Sequence, residues 1–311
     1  MRPQFSIIFF TTLAGMAQGL LFFLAALDFR TQVIPTAFLT SLAFPISLLL
    51  LMLGLIASFF HLGHPERAWR AAMMWRTSWL SREVIALPAL MVVTSLGYFY
   101  AYTSQVPQWL WIALLITTVT LWICTAKIYQ CIRFIQEWSH SSTTTNFILL
   151  GLSSGWLLLE LLLSLWNPSF EIENNLFFSG IAVLLLFLSF NLKLWIWRRN
   201  KSLKPKSNLA SATGIRGSNI RQTSMGFMGG SFNTREFFHH QTDRVIHNLR
   251  KIILLCAYIL PLILMANALN TPSVAIFAMA LAIHYVGQLA ERWMFFAEAN
   301  HPQNLYYQRV S

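Results

Sequence analysis

Charge is what this sequence has least of. Asp, Glu, Lys and Arg make up 11% of its 311 residues. A soluble domain carries about 25%, and a water-exposed surface cannot be covered with so few. Acid is scarcer still, with 11 Asp and Glu against 22 Lys and Arg and a formal net charge of +11. That excess of base is not a nucleic-acid footprint, because it sits at the ends of apolar runs and in one loop, where membrane topology would put it. Cysteine is nearly missing. Cys124, Cys131 and Cys256 lie in or near apolar runs, and no CxxC occurs. This excludes an iron–sulfur cluster or zinc site built from this chain alone and argues against a disulfide framework. One Arg and then a long apolar run open the chain, without a small-residue cleavage site. The reading is a retained first span, not a removed signal peptide.

What is present is hydrocarbon: 56% of residues are hydrophobic and the mean hydropathy is +0.55. Apolar runs long enough to cross a bilayer recur. Such runs must be helical, because in lipid each backbone N–H has to be satisfied within its own segment. The expected fold is an all-α, polytopic bundle of eight transmembrane helices forming a single domain over residues 1–311. The spans fall near residues 5–27, 37–60, 84–103, 109–134, 146–166, 176–197, 251–270 and 273–296. About 22 residues reach roughly 33 Å at 1.5 Å per residue, enough to cross. Trp109, Trp111, Trp166, Trp195 and Trp197 cluster at the proposed ends, where amphipathic rings favour the headgroup level.

Eight spans put both termini on one side. That side, with the 2–3, 4–5 and 6–7 loops, carries every one of the 22 Lys and Arg except Arg30. The other side has Arg30 with Asp28, Glu171 and Glu173. The positive-inside rule then places the termini and basic loops in the cytoplasm of a bacterial inner membrane. A basic face is also basic where it meets an acidic partner, so the charge count leaves that alternative open. Lys127, Lys193 and Arg292 lie inside apolar runs near the basic side and are expected to snorkel to it. Between the sixth and seventh spans, residues 198–248 form a long basic segment, Ser/Asn-rich at first and then containing SFNTREFF. Asn233 or Thr234 would cap a short helix near Arg235. Phe227, Phe232, Phe237 and Phe238 belong to no span, so this stretch reads as an interfacial amphipathic helix or as a partner-docking segment.

The chemistry concentrates in His61–Glu83, HLGHPERAWRAAMMWRTSWLSRE, which packs two His, four Arg, two Glu and three Trp between two apolar runs. A polar, aromatic loop at a membrane surface is where a lipid-soluble ligand can exchange protons with water. The candidate ligand is a quinone, whose reduction takes up two electrons and two protons. His61 suits this, since an imidazole both hydrogen-bonds a carbonyl oxygen and titrates at about 6.5; the plainer reading is a helix-end His. Glu83 would pass a proton; otherwise it is a first-turn carboxylate favoured by the helix dipole. His64, Arg67 and Arg82 are further candidate contacts, Trp79 a candidate wall and Arg292 a residue that would complete the pocket. Water, lipid phosphate, interfacial anchoring and a Glu291–Arg292 ion pair are the competing roles. Glu160, inside the fifth span, reads as a structural partner or a proton carrier. His284 has no second intramembrane His to form a bis-histidine haem site.

The stretch also carries a resemblance. HLG-x-P-x-RA closing the second span, LS-x-E opening the third, and GQLAERWMFF at Gly287–Phe296 resemble the membrane-anchor subunits of the dimethyl sulfoxide reductase family of molybdopterin enzymes. The likeness covers the whole chain at low similarity. It implies an anchor that binds a quinone, menaquinone or ubiquinone, and holds no haem and no iron–sulfur cluster of its own. It implies electron exchange with a four-cluster, ferredoxin-like iron–sulfur subunit that serves a molybdopterin catalytic subunit. His61 and Glu83 stand at the positions the family ties to quinol binding. The cytoplasmic loop, SFNTREFF and the extended 6–7 segment look more like the sulfite-oxidising branch, in which electrons flow into the quinone pool. A quinol-oxidising reductase anchor is the alternative. A proton-coupled transporter using Glu160 and a passive tether are the rival functions.

Overall fold

The computed structural model describes residues 3–31, 34–60, 64–204, 208–215, 220, 239 and 241–302. Among these, eight helices are long and apolar enough to cross a membrane, and the all-α reading holds. In chain order they are α1 Phe5–Thr31, α2 Thr36–Phe59, α3 Trp79–Thr103, α4 Gln108–Gln130, α5 Ser141–Trp166, α6 Pro168–Ser202, α7 Asp243–Ala268 and α8 Val274–Ala297.

α1 and α5 are the central pair, 72% buried against 28–50% for the other six. α1 packs on α2, α4 and α5, α3 pairs with α4, and α8 joins α5 to α7. The α1–α5 seam is built on glycine. A methyl on Gly19 would strike the carbonyl of Gly151 and the Cα of Gly155, and one on Gly155 would strike the backbone of Gly19. Small residues allow such contact, which in lipid replaces the missing hydrophobic drive between helices. Trp111, Trp156, Phe38, Phe44 and Leu20 are fully buried members of the main core cluster.

Two helices widen into a π-helical turn just before a proline: Leu39–Ala43 before Pro45, and Ile253–Ile259 before Pro261. Proline brings no N–H and crowds the carbonyl four residues back, and the wider turn absorbs it. In α7 that carbonyl belongs to Ala257, and the His284 ring nitrogen Nδ1 meets it at 2.6 Å from α8.

Several helices start earlier than hydropathy predicts. α3 begins at Trp79 because the Ser78 hydroxyl accepts the Ser81 N–H at 3.3 Å. Trp79, Arg82 and Glu83 are therefore helical, not loop. α5 begins at Ser141, where the His140 imidazole Nδ1 accepts the Ser142 N–H at 3.1 Å. α6 takes in residues 171 and 173, which the sequence reading put in a loop, and runs on to Ser202. α7 starts at Asp243 with an amphipathic turn region, so the polar connection is shorter than residues 198–248. His61 and the Phe227–Phe238 stretch lie outside the described residues, as does the Asn233/Thr234 cap.

The glycine seam predicts that Gly155→Val forces α1 and α5 apart. It should lower the stability of the purified protein by about 1–3 kcal/mol, the usual cost of overpacking, read as a fall in thermal midpoint in detergent. The α5 cap predicts a pH effect. Burial and the nearby Arg199 guanidinium hold the His140 imidazole below its ordinary pKa of 6.5. The unfolded chain therefore binds this proton more readily than the native one. The cap's contribution is fully present above the unfolded value and is lost as pH falls below it. His140→Asn, a cap that does not titrate, should lose less thermal stability than the wild type between neutral and mildly acid pH.

Candidate functional site

The end of the bundle that carries the 2–3 loop gathers most of the buried charge. Glu83 is only 6% exposed. Its carboxylate accepts a short hydrogen bond from the Thr125 hydroxyl of α4. On the same face of α4, one turn further, Tyr129 lies within electrostatic reach of both Glu83 and Arg292. Its ring stacks on Phe147 at 5.7 Å, and the Arg292 guanidinium sits 3.5 Å from the Phe147 ring centre.

Arg292 and Lys193 do not snorkel. They are 3% and 2% exposed, and both turn inward to the fully buried Glu291. Lys193 Nζ is 2.8 Å from Glu291 Oε1, Asn146 donates to the same oxygen at 2.9 Å, and Arg292 Nη1 is 3.7 Å from Oε2. Bulk water is remote at these depths, and a buried carboxylate with two cations costs less than any of them left alone.

A groove of about 410 Å³ opens along the α3–α4 seam on the other side of Glu83 and Thr125. Trp75, Trp79, Arg82, Ala86, Thr120 and Cys124 are among the residues that line it. Arg82 shapes its mouth. Its Nε donates to the Trp75 carbonyl at 2.9 Å, its Nη2 donates to the Arg76 carbonyl at 2.8 Å, and the guanidinium lies 4.2 Å from the Trp79 ring centre. The size suits a small ligand, and the lining is apolar with few polar groups, as such sites are. Cys124 of the groove wall lies within electrostatic reach of both Glu83 and Arg82.

The chain matches the family described as DMSO reductase anchor subunit (DmsC) over residues 1–298. It belongs to that family. It is 41% identical over 339 aligned positions to the C subunit of the sulfite dehydrogenase of Allochromatium vinosum, covering all of both proteins. It is 32% identical over 143 positions to the YnfH chain of anaerobic dimethyl sulfoxide reductase in Escherichia coli K12, covering 44% of this protein and 49% of that one. The C chain of anaerobic dimethyl sulfoxide reductase from the same organism is 29% identical over 121 positions, 37% and 42% of the two proteins.

For this anchor, the structure brings Trp79, Arg82 and Glu83 together on the first two turns of α3. It sets His64 and Arg67 apart, both exposed on the 3₁₀ segment Pro65–Met74 or beside it and both next to Glu66, at 3.1 and 3.7 Å. Arg292 lies on the interior side, away from the groove lining. His61 lies outside the described residues. Glu160 accepts the Trp156 indole N–H at 2.5 Å from one turn earlier on its own helix, in a fully buried position. Sequence reasoning did not single out Thr125, Tyr129, Asn146 or Tyr258. A signal existed for one link, because Lys193 and Glu291 are opposite charges at matching depth in two spans, and each needs the other.

The Arg82 fork predicts that Arg82→Lys loosens the α3 entrance. A single ammonium cannot hold two carbonyls in a planar fork. Amide exchange at Thr77–Ser81 should quicken by roughly tenfold, as expected for losing a charge-assisted hydrogen bond. Exchange in the central helix α5 should stay at the wild-type rate.

Proposed function

We propose that this chain is the quinone-reactive membrane anchor of a molybdopterin and iron–sulfur oxidoreductase complex. It exchanges electrons between the quinone pool and a ferredoxin-like iron–sulfur subunit, in the direction of quinone reduction during sulfite oxidation. The observation that carries the reading is the buried Glu83 carboxylate at the loop end of α3, held by Thr125 and backed by an open, apolar, tryptophan-lined groove. The full-length likeness to a sulfite dehydrogenase subunit supports this direction over quinol oxidation, since the likeness to the two reductase chains covers under half of each.

The division of labour follows from the side chains. Trp75 and Trp79 offer flat faces to a ring, and Arg82 offers a cation at the mouth. The bound quinone supplies the two-electron redox chemistry. Glu83 is a proton-exchanging group on the bundle side, with Thr125 fixing its orientation. His61, two residues beyond the end of α2, is the proposed second hydrogen-bonding group. The loop and both termini face the cytoplasm, with the iron–sulfur subunit docked on that side and the molybdopterin subunit beyond it. The 6–7 segment contributes to docking, and Trp69 and Trp75 rest at the lipid boundary.

The test uses the whole complex in membranes. In Glu83→Gln, sulfite-driven quinone reduction should fall by about 100-fold, the scale of a lost acid–base group. Sulfite oxidation by ferricyanide, a soluble acceptor that bypasses the membrane, should be unchanged. Wild-type quinone turnover in Glu83→Gln and in His61→Ala would overturn the reading.

A further inference from the structure

The cluster around Glu291 has more polar capacity than the protein uses. Four of its buried polar atoms have no hydrogen-bond partner: Asn146 Oδ1, Tyr258 Oη, Glu291 Oε2 and Arg292 Nη1. They come from α5, α7 and α8, and Tyr258 lies within electrostatic reach of both Glu291 and Arg292. Leaving one such atom dry costs about 1–3 kcal/mol. Four around one carboxylate describe a place where water completes the bonds.

This spot connects in two directions. Toward the loop-side surface, a narrow cleft is lined by Glu137, Ser142, Asn146, Lys193, Asn200 and Glu298, so Asn146 and Lys193 border both the cleft and the cluster. Toward the groove, the Arg292 guanidinium and the Tyr129 ring both pack on Phe147, and Tyr129 stands one helical turn after Thr125, whose hydroxyl bonds Glu83. The groups that face Glu291 from the packed helices are Asn146 of α5, Lys193 of α6, Tyr258 of α7 and Arg292 of α8 itself.

The geometry points to a hydrated proton route inside the bundle, from the loop-side cleft past Asn146 and Lys193 to Glu291, then by Arg292 and Tyr129 to Glu83. It rests on the reading of Glu83 as the quinone-side proton group. Quinone reduction consumes two electrons, delivered by the iron–sulfur partner, and two protons. The groove lining is mostly apolar, so protons reach Glu83 from the interior side, from water the cleft admits. Glu291 and Tyr258 each have an oxygen available to relay a proton through water. Arg292 only donates hydrogen bonds and therefore orders that water without carrying the proton. Once Glu83 has given up its proton to the quinone oxygen, the route returns one, and the balance closes at one proton from water per electron.

Tyr258→Phe is the discriminating variant. Its hydroxyl has no protein partner, so a purely structural role predicts a neutral or stabilising change. Asn146→Leu, which dries the junction of cleft and cluster, is the second. In the complex, with sulfite as donor and a short-chain ubiquinone as acceptor, kcat should fall by roughly tenfold in each variant. KM for the quinone and the ferricyanide activity should remain at wild-type values, and the solvent deuterium isotope effect on quinone reduction should rise. Unchanged kcat in both variants overturns the route, and so does a fall in kcat with an unaltered isotope effect. Inactive Glu83→Gln beside two unaffected interior variants sinks the route alone, whereas active Glu83→Gln removes its destination and with it the parent reading.

Discussion

A charge inside this bundle is cut off from bulk water, so it is held by neighbouring polar groups, several of them on other helices. Glu83 on α3 is met by Thr125 on α4, and Glu291 on α8 by Lys193 on α6 and Asn146 on α5. These contacts cross between helices that hydropathy alone would let rotate or slide, because lipid tails are as apolar as leucine. The ionic contacts thereby fix which face of each helix looks inward at the loop end. Breaking one partner of such a set is far more costly than the set is worth, since it strands a charge in a low-dielectric interior. The arrangement of the candidate site and the register of the helices are one constraint seen twice.

Much of this was legible beforehand. Eight spans, their order and the polar loop at one end follow from residue types alone, because the backbone's need for internal hydrogen bonds leaves helices as the remaining choice among apolar runs. Glu83 and Arg82 were visible as charges at the edge of a span. Helix starts were less visible, because caps such as Ser78 and His140 act one residue at a time and leave no periodic trace. Lys193 and Arg292 misled the sequence reading: long cations near a membrane surface usually extend toward it, and only the position of Glu291 on a helix distant in sequence turns them inward. Thr125 and Tyr258 were silent, since a hydroxyl in an apolar run announces nothing until its neighbour is known.

On the proposed reading, the two faces of the α3–α4 seam divide the work of a membrane redox site. One face carries a tryptophan-lined groove with one arginine in its lining; the other carries a buried carboxylate held by Thr125. An oily substrate and the water that supplies its protons need never share one opening. Membership in the DMSO reductase anchor family and the full-length likeness to a sulfite dehydrogenase subunit give this division a natural context.

The glycine contact between α1 and α5 bears on how such a protein can move. Where two backbones touch without side chains between them, no rotamers exist to rearrange, and tilting one helix drives main chain into main chain. A carrier that exposes its cargo first to one side and then to the other needs a hinge or a slipping plane through its middle, and here the middle is backbone packed on backbone. Rigidity of that kind suits the proposed electron-exchanging anchor better than a pump: tunnelling falls steeply with distance, and a spine that does not breathe would keep a docked redox partner at a constant separation from the groove.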